Sequence, residues 1–173
     1  LLKTWVDDYG LRVAAEIGLA NLGEAALDIT VKTPAERDYW AQALEATILP
    51  TGSLRRAPGG SVTDLPGFDD GVWWVQDSSA ALPAKLFGDL RGVHVLDLCA
   101  APGGKTAQLA ALGAHVISVD RSAKRLQRLQ DNMKRLRLDD HVRVEVADAA
   151  VWKSRDKVPF ILLDAPCSAT GTV

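Results

Sequence analysis

The chain has 173 residues, 47% of them hydrophobic and 24% charged, with a formal net charge of −2 and a pI of about 5.9. This length and composition suit one core-forming domain with a small appendage, and the slightly acidic balance excludes a wholly basic nucleic-acid-binding surface. No apolar run approaches the length of a membrane span, so we expect no membrane partner. The two cysteines, Cys99 and Cys167, fit reduced thiols of a cytoplasmic protein and form no metal-ligand pattern, so we expect no metal.

The first part of the chain, residues 1–75, carries short elements separated by turn signals, which predicts a small α+β subdomain. Thr33, Pro34 and Glu36 have the spacing of a capping box with proline at the first helical position. Trp73 and Trp74 are adjacent on a strand, so they point to opposite faces, and we expect them to pack in the core. The predicted elements are a helix over Leu11–Leu22, a strand over Ala26–Lys32, a helix over Pro34–Ala46, strand pieces and loop over Thr51–Leu65, and a strand over Val72–Gln76.

The second part, residues 76–173, alternates apolar strands with helices, which predicts a parallel, doubly wound sheet. A long helix capped by Ser122 should bury Leu126, Leu129, Met133 and Leu136 on one face. The other predicted elements are a strand over Val93–Leu98, a helix over Gly104–Leu112, a strand over Ala114–Val119, a strand marked by the alternating Val142, Val144 and Val146, and a strand over Phe160–Leu163.

A glycine-containing loop, Asp97–Thr106, joins the first strand of this sheet to its helix. Gly103 and Gly104 let the backbone approach a ligand closely, and the helix behind them offers free N–H groups. The loop lacks the Gly-x-Gly-x-x-Gly of dinucleotide sites, and Cys99 stands where a phosphate loop needs glycine. We therefore expect this loop to bind a ligand that contains no pyrophosphate.

The next two strands each lead into a carboxylate, Asp120 and Asp148. An acid after the second strand is placed to accept hydrogen bonds from ribose hydroxyls, and an acid after the third could reach an adenine amino group. Each aspartate could also cap a strand or a helix. Taken in order with the glycine loop, the two acids favour a pocket for a nucleoside cofactor such as S-adenosylmethionine.

The last predicted strand runs into Asp164 and a turn carrying the thiol of Cys167. A carboxylate and a thiol at the carboxyl end of a buried strand sit where open α/β sheets place their ligands. A thiolate is a soft nucleophile, so Cys167 is a candidate for covalent chemistry, with a buried inert cysteine as the alternative.

These motifs carry a family resemblance. Residues 97–106, 119–120, 148 and 163–172 resemble the RNA cytosine-5 methyltransferases, above all the bacterial ribosomal RNA members of that family, and residues 65–71 and 75–79 are similar to the segment before the cofactor strand. The resemblance implies a truncated Rossmann-like, S-adenosylmethionine-dependent methyltransferase sheet over residues 76–173. It also implies that residues 1–75 form an RNA-recognition-like subdomain, with small-subunit ribosomal RNA as partner, and we expect a monomer.

The resemblance also implies roles for individual residues. Asp164 would act near the methionine end of the cofactor and the target base, Asp120 would bind the ribose, and Asp148 the adenine. The remaining cofactor contacts would come from Cys99, Ala100, Ala101, Pro102, Gly103, Gly104 and Lys105.

Methylation at carbon 5 of cytosine needs a thiolate that adds to carbon 6, which makes carbon 5 nucleophilic. In the resembled family that thiolate belongs to a Thr-Cys motif on the following strand, so Cys167 would be auxiliary and assist product release. We therefore expect this chain to be an internal fragment that lacks its nucleophile and is inactive alone. A transfer-RNA-directed relative and a non-catalytic cofactor- or RNA-binding module remain alternatives.

Overall fold

The computed structural model of the chain describes residues 2–23, 25–155 and 157–166. The chain divides into two compact units, one containing the N-terminal helix and the other formed by Leu27–Ala165. The larger unit holds two four-stranded sheets, one antiparallel and one parallel. The division into domains at residue 75 stays a prediction. No helix among the described residues combines the length and apolar character that crossing a membrane requires.

The N-terminal helix, α1, spans Leu2–Leu22 and therefore begins well before the predicted start at Leu11. Gly10 interrupts its helical backbone with a φ of +78°. Because glycine adopts this conformation freely, the chain resumes the helix on either side of it. The predicted helix over Leu11–Leu22 corresponds to the part of α1 that follows Gly10, whereas the helical part before Gly10 was not predicted.

The antiparallel sheet has the strand order β2-β3-β1-β4. Its strands are β1 (Leu27–Val31), β2 (Thr47–Ile48), β3 (Leu54–Arg56) and β4 (Trp73–Val75). The core of this sheet contains Ile29 and Trp73, both fully buried, and β1 confirms the strand predicted over Ala26–Lys32. Asp28, on the same strand, is also buried, as described below.

The predicted helix over Pro34–Ala46 is only partly correct. Pro34–Glu36 form a single 3-10 turn, and the α-helix α2 covers Arg37–Ala43. The side chain of Thr33 makes no capping hydrogen bond, so the predicted capping box does not form. The helix stops early because Glu45 adopts a left-handed φ of +51°, which turns the chain toward β2.

The parallel sheet has the order β7-β6-β5-β8, which confirms the predicted doubly wound arrangement. Its strands are β5 (His94–Leu98), β6 (His115–Asp120), β7 (Val142–Val146) and β8 (Phe160–Leu163). Helices α3 (Leu82–Lys85), α4 (Gly104–Ala111) and α5 (Ala123–Leu136) complete this part. Strand order reverses between β5 and β8, and such switch points are where open α/β sheets bind ligands.

Helix α5 forms as its sequence pattern predicts. The Ser122 hydroxyl accepts a hydrogen bond from the Arg125 amide at 3.3 Å, and the four predicted apolar side chains of α5 are buried. Arg135 of α5 also donates to the carbonyl oxygens of Trp73 on β4 at 3.2 Å and of Phe68, in the loop before β4, at 2.6 Å. Trp73 and Trp74 lie in separate hydrophobic clusters, as their opposite orientation predicts.

Candidate cofactor site

A pocket of about 200 Å³ opens at the carboxyl ends of β5 and β8, where the strand order reverses. We call it the switch-point pocket. One wall is the loop after β5 with the start of α4, a second comes from the segment after β4, and Asp164 follows β8. Its lining residues are Val75, Gln76, Asp77, Ala80, Asp97, Cys99, Ala100, Ala101, Pro102, Gly104, Lys105 and Asp164.

The loop after β5 takes a backbone path that few residue types allow. Cys99 has a φ of +62°, which is uncommon for a residue with a side chain. Gly103 has a φ of +105°, and a Cβ there would come within 2.7 Å of the Leu129 side chain. Gly104 differs, since a Cβ would meet only Gln76 at 3.7 Å. Gly103 thus allows the loop to pack against α5 and turn directly into α4.

Helix α4 begins at the pocket. Its first hydrogen bond to the loop runs from the Ala107 amide to the Gly103 carbonyl at 2.8 Å. The amides of Gly104, Lys105 and Thr106 precede that bond and therefore have no partner within the helix. Gly104 and Lys105 line the pocket, so the positive end of the helix dipole faces it and favours an anionic group.

Two opposite charges meet at this pocket. The Lys105 ammonium donates to the Asp164 carboxylate at 2.7 Å. The lysine side chain is only 15% exposed, whereas the aspartate is 60% exposed. The pair therefore presents a nearly buried cation beside an accessible carboxylate. A zwitterionic amino-acid group carries the same two charges and could be bound by both partners.

A third carboxylate, Asp97 on β5, lies at the base of the pocket and is 1% exposed. The Thr106 hydroxyl donates to it at 2.5 Å and also lies 3.3 Å from the Ser118 hydroxyl. Burial raises the pKa of Asp97 to about 6, against the lowering effect of the Thr106 hydrogen bond and the Lys105 charge. A cation bound nearby would favour its ionised form.

The chain is similar to known methyltransferases in sequence and in fold. Residues 89–173 match the family described as 16S rRNA methyltransferase RsmB/F. This second half of the chain belongs to the RsmB/F methyltransferase family. Over 118 residues the chain is 48% identical to ribosomal RNA small subunit methyltransferase B of Serratia proteamaculans, covering 65% of this chain and 27% of that relative. The chain therefore spans about a quarter of that relative's length.

Two solved structures show the same fold. One is the structure titled "Crystal Structure of PH0851", with a TM-score of 0.80 and 25% identity over 96% of this chain and 40% of its own. The other is a methyltransferase homologue from Pyrococcus horikoshii, with a TM-score of 0.73 and 24% identity over 95% of this chain and 57% of its own. The predicted fold class, a Rossmann-like methyltransferase sheet preceded by an α+β part, is confirmed.

Asp120 and Asp148 were predicted to bind the cofactor, but neither is among the lining residues of the switch-point pocket. Asp120 is buried beneath the loop, where it accepts the amides of Ala101 at 3.2 Å and Ser122 at 2.9 Å. Asp148 lies after β7 and accepts the Ala150 amide at 2.9 Å. Their contacts with ribose and adenine stay predictions.

The arginine of α5 nearest the loop contributes to its shape. Arg125 donates to the Ala101 carbonyl, and its guanidinium also lies 3.8 Å from the Asp120 carboxylate. Together, Asp120 and Arg125 contact both backbone polar groups of Ala101. These two side chains therefore stabilise the loop.

The pocket wall formed by the segment after β4 was not predicted as part of the site, although its Gln-Asp-Ser-Ser sequence contributed to the family resemblance. The Gln76 amide is held by hydrogen bonds from Thr30 at 3.0 Å and Trp74 at 2.9 Å, and it donates to Gln108 at 3.0 Å. These partners come from two strands of the antiparallel sheet, β1 and β4, and from α4. Gln76 is therefore fixed against the pocket by contacts that no local pattern reveals.

Asp28 on β1 stabilises the same wall through hydrogen bonds. Its carboxylate accepts two hydrogen bonds from Arg55, both at 2.7 Å, and one from the Ser78 amide at 3.0 Å. These contacts, led by the Arg55 hydrogen bond, lower the pKa of Asp28 to about 2. The carboxylate thereby connects β1 and β3 to the segment that carries Asp77 into the pocket.

The two cysteines differ in what the structure shows. Cys99 lines the pocket, and burial together with the neighbouring carboxylate of Asp120 raises the pKa of its thiol. A thiol that resists ionisation is a poor nucleophile, which agrees with a role in shaping the loop. Cys167, the predicted auxiliary residue, lies outside the described residues.

No cluster of three or more histidine, cysteine, aspartate or glutamate side chains arranged to hold a metal ion occurs within residues 2–23, 25–155 and 157–166.

Proposed function

We propose that this chain is part of an enzyme that transfers a methyl group from S-adenosylmethionine to carbon 5 of a cytosine in small-subunit ribosomal RNA. The observation that carries the proposal is the switch-point pocket, in which Lys105 and Asp164 meet at the start of α4. The family match and the relative's name support the ribosomal RNA substrate.

The donor set of the pocket fits the amino-acid end of S-adenosylmethionine. The amides at the start of α4 and the Lys105 ammonium would bind the carboxylate. Asp164 would bind the ammonium group, since its carboxylate is accessible and already accepts a hydrogen bond from a cation. Asp97, at the base of the pocket, would add negative charge beside a cationic ligand.

The nucleoside end would contact the predicted acids Asp120 and Asp148. An ionised carboxylate offers about four acceptor positions, so Asp120 could keep its two backbone contacts and still accept ribose hydroxyls. The remaining backbone contacts would come from the loop Cys99–Gly104. When bound, S-adenosylmethionine supplies an electrophilic methyl group on a sulfonium centre.

The residues around the pocket would orient the base and exclude water. Asp164 would hold the target cytosine near the cofactor, and Cys167 would assist product release, as the family resemblance implies. Carbon 5 becomes nucleophilic once a thiolate has added to carbon 6 and can then take the methyl group; loss of the proton from carbon 5 with expulsion of the thiolate from carbon 6 restores the aromatic ring. A monomer in the cytoplasm is the form in which we propose that this enzyme acts.

Bisulfite sequencing of small-subunit RNA tests this proposal. The RNA would be incubated with S-adenosylmethionine and the longer parent protein, carrying either the natural sequence or Lys105→Gln. The proposal predicts one newly protected cytosine and at least a tenfold slower reaction in the variant. Arg91→Gln, which alters an exposed Asp89–Arg91 pair, is the matched control and should leave the rate unchanged.

Methylation only of transfer RNA, or of a different atom, would contradict the substrate assignment. The prediction that the 173-residue chain is inactive alone is checked by including it in the same assay, where it should protect no cytosine.

A further inference from the structure

A second cavity, of about 250 Å³, lies between the antiparallel sheet and helices α3 and α4. It shares no lining residue with the switch-point pocket. We call it the basic cavity, because three cationic side chains line it and no carboxylate is among its described lining residues. Its polar side chains are Thr30, Lys32, Arg37, Ser53, Lys85 and Gln108.

The three cations lack ion-pair partners among the described residues. Within the described part of the chain, Lys32, Arg37 and Lys85 form no salt bridge shorter than 4.0 Å. Burial lowers the pKa of Lys32, and the charges of Arg137 and Arg135 at the end of α5 lower it further. Burial also lowers the pKa of Lys85, and the nearby Arg37 charge adds to that effect. The charge of Glu36 acts on Lys32 in the opposite sense, but its carboxylate accepts the Trp40 indole N–H at 3.2 Å.

The polar groups of the basic cavity divide into satisfied and unsatisfied ones. Thr30 donates to the Gln76 side chain at 3.0 Å, and Gln108 donates to the Ala81 carbonyl at 2.8 Å. By contrast, the Arg37 Nε and the Ser53 hydroxyl oxygen are buried without a hydrogen-bond partner. Ser53 is only 2% exposed. Buried polar groups are seldom left unpaired, so these two atoms point to a missing ligand.

The β2–β3 turn is shaped to hold the Arg37 guanidinium at this place. Gly52 has a φ of +81°, and a Cβ there would lie 3.1 Å from the guanidinium carbon. Lys85 donates to the Thr51 carbonyl of the same turn, and Lys32 donates to the Leu136 carbonyl at 2.9 Å. Each ammonium uses one of its three donors in these contacts, which leaves two available.

A tetrahedral oxyanion matches this set of donors. A guanidinium binds phosphate oxygens through paired N–H groups, and ammonium groups add charge without demanding a fixed geometry. The Ser53 hydroxyl would donate to a further oxygen. We propose that the basic cavity binds a phosphate group, supplied either by an RNA backbone or by free phosphate.

The test begins with the unmodified 173-residue chain, labelled with ¹⁵N. Inorganic phosphate is titrated at constant ionic strength, with chloride as the comparison anion. The proposal predicts saturable shifts of the Arg37, Gly52 and Ser53 amides with phosphate but not with chloride. A hexauridylate titration forms the second arm: if RNA supplies the phosphate, the same amides shift and excess inorganic phosphate competes. If inorganic phosphate alone shifts them, the source is free phosphate.

Variants then test the individual donors. Arg37→Gln and Lys85→Gln should each weaken phosphate binding about tenfold or more, whereas Lys124→Gln on the exposed face of α5 should not change it. Ser53→Ala should weaken binding several-fold and keeps the proposal testable if Arg37→Gln fails to fold. Amide shifts elsewhere, no saturable binding, or equal effects of Lys85→Gln and Lys124→Gln would overturn the proposal. None of these measurements involves the cofactor, so their failure leaves the proposed function untouched.

Discussion

Asp28 gives the sharpest test of how the antiparallel sheet supports the switch-point pocket. Asp28→Asn keeps the shape of the side chain but removes its charge. The variant loses the ionic part of the two 2.7 Å contacts with Arg55 and weakens the acceptor for the Ser78 amide. Because Ser78 is buried and adjoins Asp77, the change should disturb the pocket wall as well as the sheet.

The size of the effect follows from the pKa of Asp28, which lies at about 2 instead of its ordinary value of 3.8. That difference corresponds to roughly 2 kcal/mol of folding free energy. The Arg55 side chain is 47% exposed, so water screens the pair and reduces the expected loss to about 1–2 kcal/mol at pH 7. Since the folded-state pKa of this acid is lowered, its contribution is complete above about pH 4 and is lost as the pH falls toward 2.

Urea denaturation at pH 7 and at pH 3 measures this loss. The stability difference between the natural chain and Asp28→Asn should shrink to about half at pH 3. Asp89→Asn, in the solvent-exposed pair with Arg91, serves as the control; water screens this pair, so the variant should have little effect on stability. A difference that is absent at pH 7, or that does not shrink with acid, would refute the reasoning.

Two further predictions concern the switch-point pocket. Gly103→Ala should destabilise the fold and abolish S-adenosylmethionine binding, because Gly103 has a φ of +105° and a Cβ there would lie 2.7 Å from Leu129. Gly104→Ala should be tolerated, since a Cβ there meets only Gln76 at 3.7 Å. Thermal unfolding and calorimetry compare the two variants, and equal behaviour would argue against this loop geometry. Affinity for the cationic cofactor should rise several-fold between pH 5 and pH 7 as Asp97, whose pKa is about 6, ionises. Asp97→Asn should remove that pH dependence, and an unchanged profile would show that another group titrates.

Much of the parallel sheet could be predicted because its signals are local. The apolar run of β5, the Ser122 cap of α5 and the four apolar positions on that helix each follow from a few adjacent residues. The errors fall where backbone conformation overrides pattern. Glu45, with its φ of +51°, ends α2 early, and Gly10, with its φ of +78°, divides α1 so that only the part after it was predicted.

The site could be predicted only in part, because contacts between residues far apart in the sequence position one of its walls. Two predicted parts of the site line the pocket: the loop after β5 and, further along the chain, Asp164. The wall with Gln76 is positioned by hydrogen bonds to Thr30, 46 residues away, and to Gln108, 32 residues away. Such long-range contacts leave no periodic signal. The basic cavity is formed by segments brought together in the same way, and for this reason it could not be predicted from sequence.

The central claim is that the switch-point pocket binds S-adenosylmethionine, and isothermal titration calorimetry on the 173-residue chain tests it most directly. The account predicts one binding site, with affinity at least tenfold lower in Asp164→Asn and unchanged in Asp89→Asn. A folded chain that releases no heat with the cofactor, or an Asp164→Asn variant that binds as tightly as the natural chain, would contradict it.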